Sequence, residues 1–301
     1  MKCEIYYFTG VGHSLFIARE LAKELQGEWL PMISRIKEKK IQLDADVIGL
    51  VFPIYHATFG ESGLPPLVAQ FIEKLNHLEG KYIFAVGLHS GFPGYTMEKL
   101  SQRLASLGGT LGAGFTVLLN VPHKSTTKMR HAFFKQPLSF DLEDEKVERQ
   151  KRLDEWHQRL PQYLEIIRNR QSIEIERPGT LKKMLLKPYL KLQKKMALVH
   201  YQEMTGATDD DFMRLTLLAD CTFQVSEACT GCAMCAKVCP AQNIEMVHGK
   251  PQWQHHCENC TACFHWCPTH AISGDVVAYE KPIQAEGIIL KDMLFQTAAL
   301  R

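Results

Sequence analysis

Nine of the ten cysteines in this 301-residue chain fall between Cys221 and Cys267, and Cys3 stands apart near the start. Eight of the nine form two strings of one pattern, Cys229-x2-Cys232-x2-Cys235-x3-Cys239-Pro240 and Cys257-x2-Cys260-x2-Cys263-x3-Cys267-Pro268. The second string follows the first by 28 positions, and Ile244 and Ile272 match at that same offset, so the unit is an internal repeat. Three thiolates two residues apart wrap one face of an iron-sulfur cube, and a fourth from elsewhere closes it. The proline after each fourth cysteine turns the chain away. Paired zinc knuckles are the competing reading, and they are disfavoured because zinc ribbons use two CxxC pairs, not two full four-cysteine runs each ending in proline.

Over roughly residues 221 to 275 the pattern resembles the bacterial-type two-cluster ferredoxin domain, a small α+β fold. The resemblance implies crossed ligation, in which each fourth cysteine serves the other cluster. One 4Fe-4S centre then takes Cys229, Cys232, Cys235 and Cys267, and the second takes Cys239, Cys257, Cys260 and Cys263. Cys221 and Cys3 are left over and read as buried small hydrophobes. His265, between ligands, reads as an exposed loop histidine.

The elements that must position this chemistry lie upstream. The chain is 46% hydrophobic and 23% charged, an ordinary globular composition that excludes disorder and a small disulfide scaffold and leaves room for two domains. Candidate strands span residues 4–8, 28–33, 46–52, 81–88 and 110–119, and candidate helices span 14–25, 65–75 and 95–107. This alternation predicts an open, doubly wound parallel α/β sheet with helices on both faces. Such sheets bind ligands in loops at the carboxyl ends of their strands. Three loops qualify: Thr9-Gly10-Val11-Gly12-His13-Ser14, leading straight into a helix; Pro53-Ile54-Tyr55-His56; and His89-Ser90-Gly91-Phe92-Pro93-Gly94-Tyr95. The first presents a helix N-terminus as a phosphate site would, and a ring system fits between Tyr55 and Phe92 or Tyr95.

Here the chain resembles flavodoxin, whose phosphate loop reads Thr-Gly-Thr-Gly-Asn-Thr/Ser. Thr9, Gly10, Gly12 and Ser14 match, while Val11 and His13 depart, removing a hydroxyl and replacing a compact amide. The whole chain resembles fusions of a flavodoxin-like domain with a two-cluster ferredoxin. The resemblance implies FMN held by Thr9, Gly10, Val11, Gly12, His13, Ser14, Pro53, Tyr55, His89, Gly91, Phe92 and Tyr95. The alternative is a degenerate domain kept for docking.

The expected organisation is a flavodoxin-like domain over 1–170, a basic helical linker over 171–220, the two-cluster domain over 221–275 and a C-terminal tail over 276–301. Residues 177–195 carry seven lysines and arginines and no acid, with Pro188 expected to interrupt the helix. The linker is expected to clamp the acidic cluster domain against the sheet domain, ahead of attachment to an anionic membrane surface. Nucleic acid is disfavoured, since no base-reading motif accompanies the run. The apolar end of the tail is expected to pack on the body of the protein. Neither a leader nor a spanning segment stands out, so a cytoplasmic location is expected. The function expected is electron transfer among two 4Fe-4S clusters, an FMN and redox protein partners. A redox-sensing or partner-binding module with an empty flavodoxin-like domain is the alternative, and an FMN-dependent small-molecule reductase is a third. No acid, base or nucleophile constellation specifies a substrate, which leaves a carrier and an oxidoreductase component both open. The formal charge of +2 falls to about −2 once two oxidised clusters at about −2 each are counted.

Overall fold

A computed structural model describes residues 2–57, 62–119, 142–173, 175, 180–277 and 281–298, with only the backbone of 142–146 and 180–186. Strands β1 (Cys3–Tyr7), β2 (Glu28–Pro31), β3 (Val47–Pro53), β4 (Tyr82–His89) and β5 (Leu111–Leu118) form one sheet in the order β2-β1-β3-β4-β5. Every pairing in it is parallel. This is the doubly wound order of flavodoxin-like sheets, with its switch point between β1 and β3. Its central strands are continuous apolar runs because helices cover both faces. All seven residues of β3 and all five of β1 are buried.

Helices α1 (His13–Leu25), α2 (Pro66–Glu73) and α3 (Thr96–Ser106) fall where apolar periodicity places them, each within one or two residues of the expected ends. The fourth helix, α4 (Leu142–Arg168), lays Leu153, Trp156, Leu164 and Ile167 on the sheet. Tyr163 stacks on Phe115 of β5 at 4.1 Å, and the Trp156 indole N–H donates to Glu20 on α1 at 2.5 Å. Residues 120–140, which show little regular pattern in the sequence, lie outside the described residues, as does the Pro178-Gly179 pair that punctuates the chain before the basic run.

Helix α5 (Thr180–Thr205) corrects one expectation, because it runs through Pro188 without ending. A proline removes one ladder bond, but Leu190, Gln193 and Ala197 are buried beyond it, and this packing holds the helix together. It folds back on α6 (Phe212–Leu218), whose N-terminus is capped by the Asp211 carboxylate accepting from Met213 and Arg214. Between them Tyr201 and Phe212 close edge-on around His56 of the sheet domain, at 6.2 and 5.6 Å. This bridge between the helical linker and the sheet domain is aromatic. No described helix is long and apolar enough to cross a membrane.

The cysteine-rich region is built twice. Strand β6 (Gln224–Val225) pairs with β9 (Ile272–Ser273), and β7 (Ile244–Val247) pairs with β8 (Lys250–Trp253), both antiparallel. Val225↔Ile272 and Trp253↔Ile244 are the same contact under the 28-residue offset. The one-turn helices α7 (Met234–Val238) and α8 (Ala262–His265) each start after a left-handed residue, Ala233 (φ 60°) and Thr261 (φ 52°). Helix α9 (Leu290–Ala298) then returns to the sheet domain, so the tail packs on the body as expected.

The core of the sheet domain is sensitive to loss of its largest side chain. Trp156→Ala is expected to lower unfolding stability by about 3–5 kcal/mol, measured as a shift of the urea midpoint at constant slope.

Candidate functional site

The first requirement of a cluster site is a set of thiols brought together by a chain that has little reason to bury them. The backbone does this with paired devices. Positive φ recurs at Gly231 and Asn259, at Ala233 and Thr261, and at Gln242 and His270, three pairs at the repeat offset. The first two pairs bend the chain between cysteines of a run, and the third turns it after the closing Cys-Pro. The Asn243 N–H points at Cys239 Sγ (3.3 Å) and the Ala271 N–H at Cys267 Sγ (3.4 Å), again equivalent positions. Cys257 Sγ accepts from the Asn259 N–H at 3.3 Å. Donors aimed at sulfur stabilise thiolate charge and tune whatever it binds.

The buried thiols also act on one another electrostatically. Burial pushes the Cys235 thiol up to about 11, and repulsion from Cys267, Cys232 and Cys229 adds to the shift. Burial likewise raises Cys260, with Cys239 the next contributor. Cys263 is raised by burial and then by Cys260 and Cys239, and Cys257 by burial and then by Cys260 and Cys263. A neutral thiol is thus the resting state of these buried positions without positive charge beside them, and iron supplies that charge in a cluster. The donor set therefore suits iron-sulfur ligation. Cys232 is exposed and Cys229 half-buried, whereas Cys257, Cys260 and Cys263 are buried.

Two residues outside the motif hold this region in shape. The fully buried Asp220 carboxylate accepts from Asn243 Nδ2 (2.6 Å), the His255 N–H (3.1 Å) and His255 Nδ1 (2.8 Å). Glu258 is buried beside the second run and accepts the Leu67 N–H at the start of α2 (3.1 Å). Burial raises its carboxyl to about 7, against the hydrogen bond, which lowers it.

Two expectations are corrected. Cys221 is exposed, its Sγ 3.9 Å from the Met204 carbonyl, because Asp220 takes the inward position of the 3-10 turn that they share. His265 is buried, its Nδ1 accepting the Ile283 N–H at 3.1 Å, because the tail folds over α8.

The structure brings the twelve FMN-assigned residues to the carboxyl ends of β1, β3 and β4, as expected. Pro53 ends β3, and Tyr55 follows it, half-buried, with its N–H on the Gly63 carbonyl at 3.0 Å. His89 ends β4 beside a cavity of about 440 Å³ lined also by Arg152, Trp156 and Tyr163. Gly91 faces open space, Phe92 is exposed and Tyr95 precedes α3. The first loop is different. Thr9 gives its N–H to Gln296 Oε1 and receives Gln296 Nε2 on its carbonyl, both at 3.1 Å. Gly10 receives the Trp266 indole N–H at 3.1 Å, and Val11 receives the Ala285 N–H at 3.3 Å. The Gly12 N–H turns inward to Thr9 Oγ1 at 3.0 Å. His13 and Ser14 are buried, and burial lowers the His13 imidazole to about 4, with Arg149 adding to the effect. A loop engaged in this way, with a neutral histidine, does not fit the phosphate of FMN.

Residues 228–280 match the family described as a 4Fe-4S dicluster domain. The chain thus joins a sheet of flavodoxin-like strand order to a segment that matches a 4Fe-4S dicluster domain. Among solved structures, a Streptococcus pneumoniae flavodoxin is 17% identical, covering 42% of this chain and 89% of its own, with a TM-score of 0.32. The reduced flavodoxin of Megasphaera elsdenii is 23% identical over 38% of this chain and 85% of its own, with a TM-score of 0.31. The Trp repressor binding protein of Bacillus subtilis is 13% identical over 40% and 86%, with a TM-score of 0.29. At this level of likeness it is the observed strand order that assigns the fold. No curated protein matches. The sequence reading missed Asp220, Glu258, Trp266 and Gln296. Only Asp220 and Glu258 carried a signal, as acids close to ligands.

Burial also lowers the His56 imidazole to about 4. A histidine depressed on folding contributes stability that is present above its unfolded pKa, near 6.5, and lost as pH falls toward 4. The urea midpoint is expected to fall over that window. His56→Asn, which tolerates the positive φ, is expected to make the fall shallower by far-UV circular dichroism.

Proposed function

We propose that this chain is an iron-sulfur electron-transfer protein carrying two 4Fe-4S clusters. Cys229, Cys232, Cys235 and Cys267 hold one, and Cys239, Cys257, Cys260 and Cys263 hold the other. The reading is supported by the match of residues 228–280 to a 4Fe-4S dicluster domain and by the backbone N–H groups aimed at Cys239, Cys257 and Cys267; the repulsion of Cys235 by Cys267 and of Cys260 by Cys239 favours the crossed assignment. When bound, each cluster supplies reversible one-electron transfer. The chain's own residues set the conditions for it. The N–H donors of Asn243, Ala271 and Asn259 hold negative charge on sulfur, and the aromatic pair Phe223 and Trp253, stacked at 4.9 Å, shields the interior.

Exposure distinguishes the two sites. The exposed Cys232 and half-buried Cys229 turn the first site toward solvent, so a redox partner protein meets the chain there. The second site, with three buried cysteines, faces the flavodoxin-like domain through Cys260 and Glu258. The domains that do this work are the sheet domain over 1–170, the linker over 171–220 and the cluster domain over 221–275. The tail over 276–301 serves as the strap between the first and third.

Protein purified without oxygen is expected to hold about eight iron and eight acid-labile sulfide per chain. Zinc in their place overturns the proposal. Cys267→Ser is expected to abolish the electron paramagnetic resonance signal of the solvent-facing cluster and spare the other; the reverse pattern refutes the crossed arrangement.

A further inference from the structure

The loop that follows β1 carries the glycine spacing of a phosphate site, yet its neighbours are the chain's own C-terminal residues. A Cβ on Gly10 would lie 2.1 Å from the Cys260 carbonyl oxygen, so no side chain is tolerated there while the second cysteine run keeps its place. A Cβ on Gly12, at φ 114°, would meet Ala285 and Ile288 at 3.1 Å. Gln296 is fully buried and spends both ends of its amide on Thr9, completing a two-bond clasp across 287 positions of sequence. Trp266 donates to Gly10 from the position next to Cys267. Beyond the loop, Asp292 pairs with Arg19 of α1, and Thr297 Oγ1 donates to the Lys237 carbonyl of α7 at 2.6 Å. Helix α9 thus ties the sheet domain to the cluster domain at both of its faces.

We infer that the Thr9–Ser14 loop is the socket of the cluster domain and not a flavin phosphate site. Its occupants are Cys260, Trp266 and residues 285–296 of the same chain. The glycines are needed because backbone approaches backbone at this contact, which is the same steric reason that a phosphate loop needs them. The second cluster is thereby seated on the carboxyl end of β1, where a flavodoxin carries the phosphate of its flavin. The redox chemistry of the chain then belongs to iron and sulfur alone, with the flavodoxin-like sheet as a rigid mount.

This inference uses the iron-sulfur reading for one readout, and the arms of the test keep the two apart, since iron content alone judges that reading. In the full-length protein with its iron complete, FMN is titrated while flavin fluorescence is followed. No quenching is expected; stoichiometric binding overturns the inference. Gly10→Ala is expected to lower iron per chain and to change the paramagnetic signal of the buried cluster, with the far-UV dichroism of the sheet retained. Unchanged iron and signals in that variant also overturn it. Should Gly10→Ala fail to fold, Gln296→Ala supplies a milder opening. Amide exchange at Thr9 is expected to quicken about fivefold in it, as loss of a bond worth about 1 kcal/mol implies. Exchange at the wild-type rate overturns the clasp.

Discussion

Thiolates repel one another, and burial makes the repulsion stronger; the architecture of the cysteine domain follows from that constraint. The thiols of Cys235, Cys257, Cys260 and Cys263 are buried among other sulfurs, which the protein alone would keep protonated. Bringing them together is favourable only with positive iron between them and with backbone donors outside them. The left-handed residues, the N–H groups aimed at sulfur and the buried Asp220 that fixes the loop at 243–256 are all ways of meeting that constraint with main chain rather than with cationic side chains. A 28-residue unit used twice repeats these devices in both halves.

The same constraint explains the contact between domains. A buried site needs a cover, and a domain of about 55 residues has little apolar surface to provide one. The flavodoxin-like domain provides it through the end of β1, the start of α2 and the glycine loop. At the seam the chain uses hydrogen bonds between backbone and buried polar side chains, Gln296 to Thr9, Trp266 to Gly10 and Glu258 to Leu67. Such bonds fix orientation more tightly than apolar contact does, because a displaced partner leaves a buried polar group unpaired. The electron-carrying site and the sheet are therefore held as one body at this seam.

Much of this was legible in advance. The five strands and the helices α1 to α3 could be read from apolar periodicity because parallel strands covered on both faces are continuous apolar runs. The cysteine repeat could be read because ligand spacing is a local property. The errors share one cause. Cys221 and His265 were placed by residue type and neighbours, and each was reversed by a segment distant in sequence or by a competing side chain in the same turn. Pro188 was read as a break because local propensity says so, and packing on α6 overrode it.

The sequence by itself determined the α/β sheet, the presence of a repeated four-cysteine unit and its iron-sulfur chemistry, since periodicity and spacing lie within a few residues of chain. Only the tertiary structure decided what occupies the glycine loop. A Gly-x-Gly turn before a helix is written in the same way whether it receives a phosphate or a neighbouring backbone, because both need the absence of a Cβ. What distinguishes them is Gln296 and Cys260, which lie more than 240 positions away in sequence and meet the loop only when the chain has folded.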